Sequence, residues 1–249
     1  MSTRARNART EKQPGFLSNL LFNILLPVII LMQLSSEDRL GPVYALIIGL
    51  AFPVGYGLWD LWQRRKINGF SVLGIVSVLL TGGIGLLQLD PKYIAIKEAA
   101  VPAVFGLVVW ASRYTRFPVV EKILLNRQVL DVDALYARVA ERGKSLEFRK
   151  TLNYAGNGVA GAFFLSAVLN YFLARAIVVS PAGTEAFNNE IGRMTALSFP
   201  VIVLPTMVVM FGAIFYLFYK IKQVTGESIE AFTLDKDAPS ENPSEHKES

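Results

Sequence analysis

Residues 82–106 read GGIGLLQLDPKYIAIKEAAVPAVFG, two apolar runs on either side of a short charged cluster that ends in Lys97 and Glu98. A spanning helix needs about 20 mostly apolar residues at about 1.5 Å of rise each. The run before Asp90 and the run after Lys92 both approach that length, so the stretch reads as two membrane helices and the turn between them. Working outward, six segments come close to it: residues 16–34, 42–62, 70–89, 94–112, 154–179 and 196–219. The composition agrees. Of the 249 residues 52% are hydrophobic and 18% charged, whereas soluble domains carry nearer a quarter of charged residues. The reading is an all-α polytopic membrane protein with six transmembrane helices.

Lys and Arg near helix ends stay cytoplasmic. The N-terminal segment, the loop with Arg64, Arg65 and Lys66, the long loop at about 113–152, and Lys220 with Lys222 are basic, and these are alternate loops. The other three, 35–41, 90–92 and 180–195, hold Arg39, Lys92 and Arg193 against Glu37, Asp38, Asp90, Glu185 and Glu190. Both termini are therefore expected on the cytoplasmic side. Trp59, Trp62, Trp110 and Tyr114 fall near the inner boundary and Tyr93 near the outer one, as interfacial aromatics do. Arg4, Arg6, Arg9 and Lys12 precede the first apolar run as in a signal peptide. Leu34-Ser35-Ser36-Glu37 offers no small-x-small cleavage pattern, so this run is expected to remain as the first helix.

Three organisational segments follow: a basic N-terminus over 1–15, a membrane domain over 16–222, and a polar tail over 223–249 expected to be disordered. In the long loop, Asp131 is placed to cap a helix with Val132, Leu135, Tyr136 and Val139 on one face. That face would lie on the inner leaflet, hold a partner, or pack under its own bundle. The net charge of +5 reads as orientation and attraction to anionic lipid, with no groove-binding motif for nucleic acid. Cysteine is absent and His246 is the one histidine, which excludes thiolate nucleophiles and multi-histidine metal sites within the chain. No cofactor fingerprint or catalytic constellation assembles, and "GGIG" follows no strand, so it is not a phosphate loop. The chain reads as non-enzymatic.

Ionisable residues within spans are costly, so each carries a functional hypothesis. Asp60 and Arg64, at i and i+4, suit a boundary ion pair. Lys97 and Glu98 lie in the first turn or so of the fourth span, where Lys97 can snorkel outward and Glu98 meets the helix dipole. Arg175 is about one turn from the outer end of the fifth span. Asn23, Thr81, Asn157 and Asn170 lie deeper and read as interhelical hydrogen-bond partners, with Gly82, Gly83, Gly85 and the pairs Gly156/Ala160 and Gly158/Ala162 allowing close approach. Pro27, Pro53, Pro102, Pro200 and Pro205 would kink their spans. The preferred reading of the opening cluster is a turn, with Asp90, Pro91 and Lys92 stopping one helix and Lys97 with Glu98 anchoring the next at the outer surface. A site there is the alternative.

Gly82-Gly83, nine intervening residues, Tyr93-Ile94 and Lys97 resemble a pattern of the bacterial intracellular septation protein A family. Weaker likenesses include the basic loop after the second span, Pro118, and Leu152, Asn153 and Asn170 in "LNYAGNG" through "AVLNYFLA". The chain departs in its expanded loop at 131–150, its longer outer loop at 180–195, its tail, and Glu98. The resemblance implies a multi-pass bacterial inner-membrane protein of cell division and envelope maintenance, working through envelope or division proteins as partners and without catalytic residues. The alternative is a small transporter or lipid-handling protein, motivated by the prolines, the buried asparagines, and Lys97, Glu98 and Arg175. A homo-oligomer packed along the glycine-lined faces suits either.

Overall fold

The structure is a computed structural model that describes residues 20–64, 69–114 and 124–234. Its described elements are helical: α1 (Leu21–Gln33), α2 (Gly41–Arg64), α3 (Gly69–Leu86), α4 (Lys92–Ser112), α5 (Val132–Glu141), α6 (Ser145–Ile177), α7 (Glu185–Ser198) and α8 (Leu204–Thr225). A 3₁₀ turn, Ile229–Phe232, follows α8. Among the described residues, four helical segments are long and apolar enough to cross a membrane: Gly41–Trp59, Lys92–Ser112, Ser145–Ile177 and Glu185–Thr225, the last comprising α7, a π-turn and α8. Two shorter apolar helices, Leu21–Gln33 and Leu73–Leu86, accompany them. The chain divides into two compact units, residues 1–101 with 166–205, and residues 102–165 with 206–249.

In the first unit α1 packs on α2 and α7, and α2 packs on α3. Leu31, Leu46, Ile94, Phe187 and Ile191 form its buried centre. Two of these come from α7, within residues 180–195, which the charge pattern assigns to an outer loop. The segment is instead a helix capped by Thr184, whose hydroxyl accepts from the Phe187 N–H at 3.2 Å. Phe187, Ile191 and Met194 recur at i, i+4 and i+7, so one face buries while Glu185, Glu190 and Arg193 occupy the rest. Asn188, fully buried, donates from Nδ2 to Ser35 Oγ at 3.1 Å and to Pro42 O at 2.7 Å, fastening α7 to the turn between α1 and α2. Glu190 accepts from the Val179 and Ser180 N–H groups, each at 2.9 Å, and from Ser180 Oγ at 2.7 Å, closing the turn from α6.

The second unit gathers the first half of α6, α5 and the end of α8. Asp131 caps α5, accepting from the Ala134 N–H at 2.9 Å. Val132, Leu135 and Val139 are buried with Phe148 of α6 and Leu217, Ile221 and Val224 of α8. The apolar face of α5 is thus spent on its own chain. Helix α6 begins at Ser145, inside the expected loop, and its 33 residues exceed the roughly 20 that a bilayer requires. Polar sequence after Thr225 does not mark an immediate end to packing either. Gly226, at φ +78°, ends α8 with its N–H on Lys222 O, and the chain folds back through Ile229–Phe232. Phe232 is buried and its carbonyl accepts from Asp131 N–H at 2.7 Å. The structured chain therefore reaches at least Leu234, and residues 235–249 of the expected tail lie outside the described residues.

Two outcomes check this packing. A Cβ at Gly85 would overlap Leu46 Cδ2 and press on Phe187 at 3.3 Å, both fully buried, whereas one at Gly83 would meet nothing within 4 Å. Gly85→Leu should lower stability by about 1–3 kcal/mol and Gly83→Leu by about 0.5 kcal/mol or less, read from denaturation in mild detergent. Phe232→Ala should cost about 3–5 kcal/mol, if the turn after α8 belongs to the core of its unit.

Candidate functional site

The turn at the centre of the opening stretch is built as its residues suggest. Asp90 Oδ1 accepts from the Lys92 N–H at 2.8 Å, and the Lys92 ammonium lies 3.1 Å from Oδ2. The backbone N–H, and after it the ammonium, hold the Asp90 carboxyl below its ordinary value. Tyr93, next along α4, is exposed, and Ile94 faces the core.

Lys97 departs from the expectation. It sits in the second turn of α4 with its side chain only 8% exposed, and does not snorkel outward. Its Nζ donates to Thr81 Oγ1 at 2.8 Å and to Ser77 Oγ at 3.1 Å, with Ser77 O at 3.4 Å, and Glu98 Oε1 lies 2.6 Å away. Ser77 and Thr81 are one helical turn apart on α3 and so present their hydroxyls on the same face. Thr81 itself donates to Ser77 O at 3.2 Å. The reason for the inward course is local. With acceptors of α3 already beside it, the ammonium gains more from three oxygens and a carboxylate than from a stretched path to solvent. Glu98 is 27% exposed, and among the described residues its carboxylate has no polar partner besides Lys97.

These two side chains line a cavity of about 170 Å³ together with Asn23 of α1, Ser77 and Thr81 of α3, and Thr195 of α7. Its apolar wall includes Pro27, Leu31, Leu50, Pro53, Ile191 and Met194. All of these residues belong to the first unit. A volume near 170 Å³ is comparable with the roughly 150 Å³ that accommodates a benzene molecule in a protein interior.

The remaining sequence candidates whose side chains are described do not line it. Asn170 donates to Ser166 O at 2.8 Å and Ser166 Oγ at 3.3 Å, within its own helix, so it does not act as the interhelical link expected of it. Asn157 does link elements, accepting from Arg113 Nη1 at 2.8 Å. Asn153 and Arg175 are exposed. The Asp60 and Arg64 side chains lie outside the described residues. Gly82, with Leu50 at 3.0 Å from its would-be Cβ, and Gly83 line an apolar groove along α2 and α3. Sequence reasoning passed over Ser77 and Thr195; the signal for Ser77 was its spacing of four from Thr81.

A buried ion pair is costly to assemble and more costly to break. Lys97→Met alone, leaving the partly exposed Glu98 without its counter-charge, should destabilise the protein by about 1–3 kcal/mol. The double variant Lys97→Met/Glu98→Met should regain most of that loss or exceed the native stability, as followed by thermal unfolding in detergent.

Comparison of the chain with family models, with curated proteins and with solved structures returned no match.

Proposed function

We propose that this chain is a non-enzymatic membrane protein that binds and carries a small solute in the Lys97–Glu98 cavity. In this reading it crosses a bacterial inner membrane six times with both termini cytoplasmic. The two shorter helices, Leu21–Gln33 and Leu73–Leu86, supply the spans beyond the four long ones, and the alternation of basic loops supports the orientation. One observation carries the proposal: an ammonium and a carboxylate 2.6 Å apart line a cavity among otherwise apolar helices. Groups this expensive within a membrane are a mark of substrate and ion pathways. The cavity wall is also irregular at Asn23, which lies in a π-turn, Leu21–Leu25; such turns recur at functional positions.

The absence of cysteine makes the test direct, because any introduced thiol is unique. Thr195→Cys should react with a small water-soluble methanethiosulfonate at least roughly tenfold faster than Val208→Cys on the exposed face of α8, since only a hydrated thiol ionises. Equal, slow labelling of the two in sealed vesicles would overturn the reading.

A role in envelope or septum assembly is the second reading. It is supported by the septation protein A-like residues, of which Gly82 and Gly83 floor the open apolar groove with Leu46, Leu79 and Leu86. In this reading the groove takes an apolar helix, from a division protein or from a second copy. Photocrosslinking in cells from position 79 should then recover a specific protein adduct; lipid adducts alone would remove this reading.

A further inference from the structure

We infer that the cavity selects an uncharged solute of about benzene size that carries a hydroxyl or amide hydrogen-bond donor beside an apolar flank. This rests on the carrier reading of the same site and deepens it.

The argument is an accounting of donors, acceptors and charge. An ammonium has three hydrogens and no acceptor. Around Nζ of Lys97 stand Thr81 Oγ1, Ser77 Oγ, Ser77 O and Glu98 Oε1, all within 3.4 Å, so every hydrogen already has an oxygen and none is left for a ligand. The Thr81 hydroxyl is likewise committed, accepting from Lys97 and donating to Ser77 O. Glu98 differs. Its Oε1 meets Lys97, and no hydrogen-bond donor among the described residues serves its other oxygen, while the side chain keeps partial exposure and lines the cavity. A carboxylate has about four lone-pair sites. What the cavity offers is therefore an accessible acceptor, which a donor on a ligand can meet.

Charge then narrows the class. The described lining holds one positive and one negative side chain, Lys97 and Glu98. A cationic ligand would supply the donor but leave the low-dielectric pocket with an uncompensated charge, and an anion would meet the carboxylate directly. A neutral donor satisfies Glu98 and leaves the pair intact. Its remaining surface meets Pro27, Leu31, Leu50, Pro53, Ile191 and Met194, which reward an apolar flank.

Phenol, toluene and benzylammonium separate these terms, since all three present one benzene ring, with a neutral donor, no donor and a cationic donor in turn. Binding to the full chain in lipid nanodiscs is measured against free aqueous concentration, with empty nanodiscs subtracted. Transfer from water favours toluene over phenol, so the expected order runs against hydrophobicity: phenol binds about tenfold or more tighter than either of the others. In the Lys97→Met/Glu98→Met variant the order should turn over, with toluene ahead. Toluene or benzylammonium binding the native chain as tightly as phenol would overturn the inference, a comparison that needs no variant to fold. So would the failure of all three to bind a chain whose Thr195→Cys is water-accessible, and in both cases the carrier reading would stand. An unreactive Thr195→Cys would remove the carrier reading itself, and the inference with it.

Discussion

An ammonium within apolar helices must be given oxygens, and at Lys97 they come from α3 and from the neighbouring carboxylate. Its acceptors come from two places that sequence alone does not connect. Ser77 and Thr81 stand one turn apart on α3, twenty and sixteen residues earlier, and Glu98 follows directly on α4. Adjacent residues on a helix diverge by about 100°, so Lys97 and Glu98 meet only because the long lysine stem bends toward α3 and the glutamate follows it. Hydroxyls disperse the positive charge, and the carboxylate neutralises it without being fully buried. This division of labour leaves one group saturated and the other partly available, a distinction that a count of charged residues would not reveal.

Much of the fold was legible because apolar run length is a local property. The helices α2, α4 and α8 fall on the runs that composition marks, and Asp131 announced the cap of α5 by being a short carboxylate ahead of an amphipathic repeat. Helix α7 escaped because its mean polarity hides a narrow apolar stripe. Phe187, Ile191 and Met194 bury, while Glu190 and the Asn188 amide nitrogen are engaged by hydrogen bonds to neighbouring segments. The orientation rule reads its charges as those of a loop, although a polar helix can be fastened to the helix pair beside it. The candidate site was half legible for the same reason. Lys97, Glu98, Asn23 and Thr81 stood out as polar groups in apolar runs, but their meeting depends on packing between distant segments.

The amphipathic helix α5 shows the converse. Its stripe was equally compatible with lipid, a partner or its own bundle, because an apolar face states that it must be covered and not by what. Phe148, Leu217 and Ile221 cover it, and the 3₁₀ turn carrying Phe232 supplies part of the same cluster. The last segment shows why composition underestimated it: between Thr225 and Leu234 just Ile229 and Phe232 are large and well placed to bury. Two side chains, the Arg138–Glu227 ion pair and two backbone hydrogen bonds to the residues before α5, Asp131 N–H to Phe232 O and Leu234 N–H to Val129 O, hold the stretch.

Prolines connect the cavity to the helices that form it. Pro27 and Pro102 have no N–H to give the carbonyls four residues before them, which are those of Asn23 and Glu98. Both of these residues line the cavity. The backbone there cannot follow an ideal α-helical ladder, and at Asn23 it takes a π-turn instead. A π-turn widens the helix locally, and at Asn23 it does so beside a polar side chain of the cavity wall. At Pro27 the missing donor, the π-turn and a polar residue of the cavity wall coincide. Pro27 itself stands in the lining beside the π-turn, whereas α4 runs on as an α-helix through Pro102.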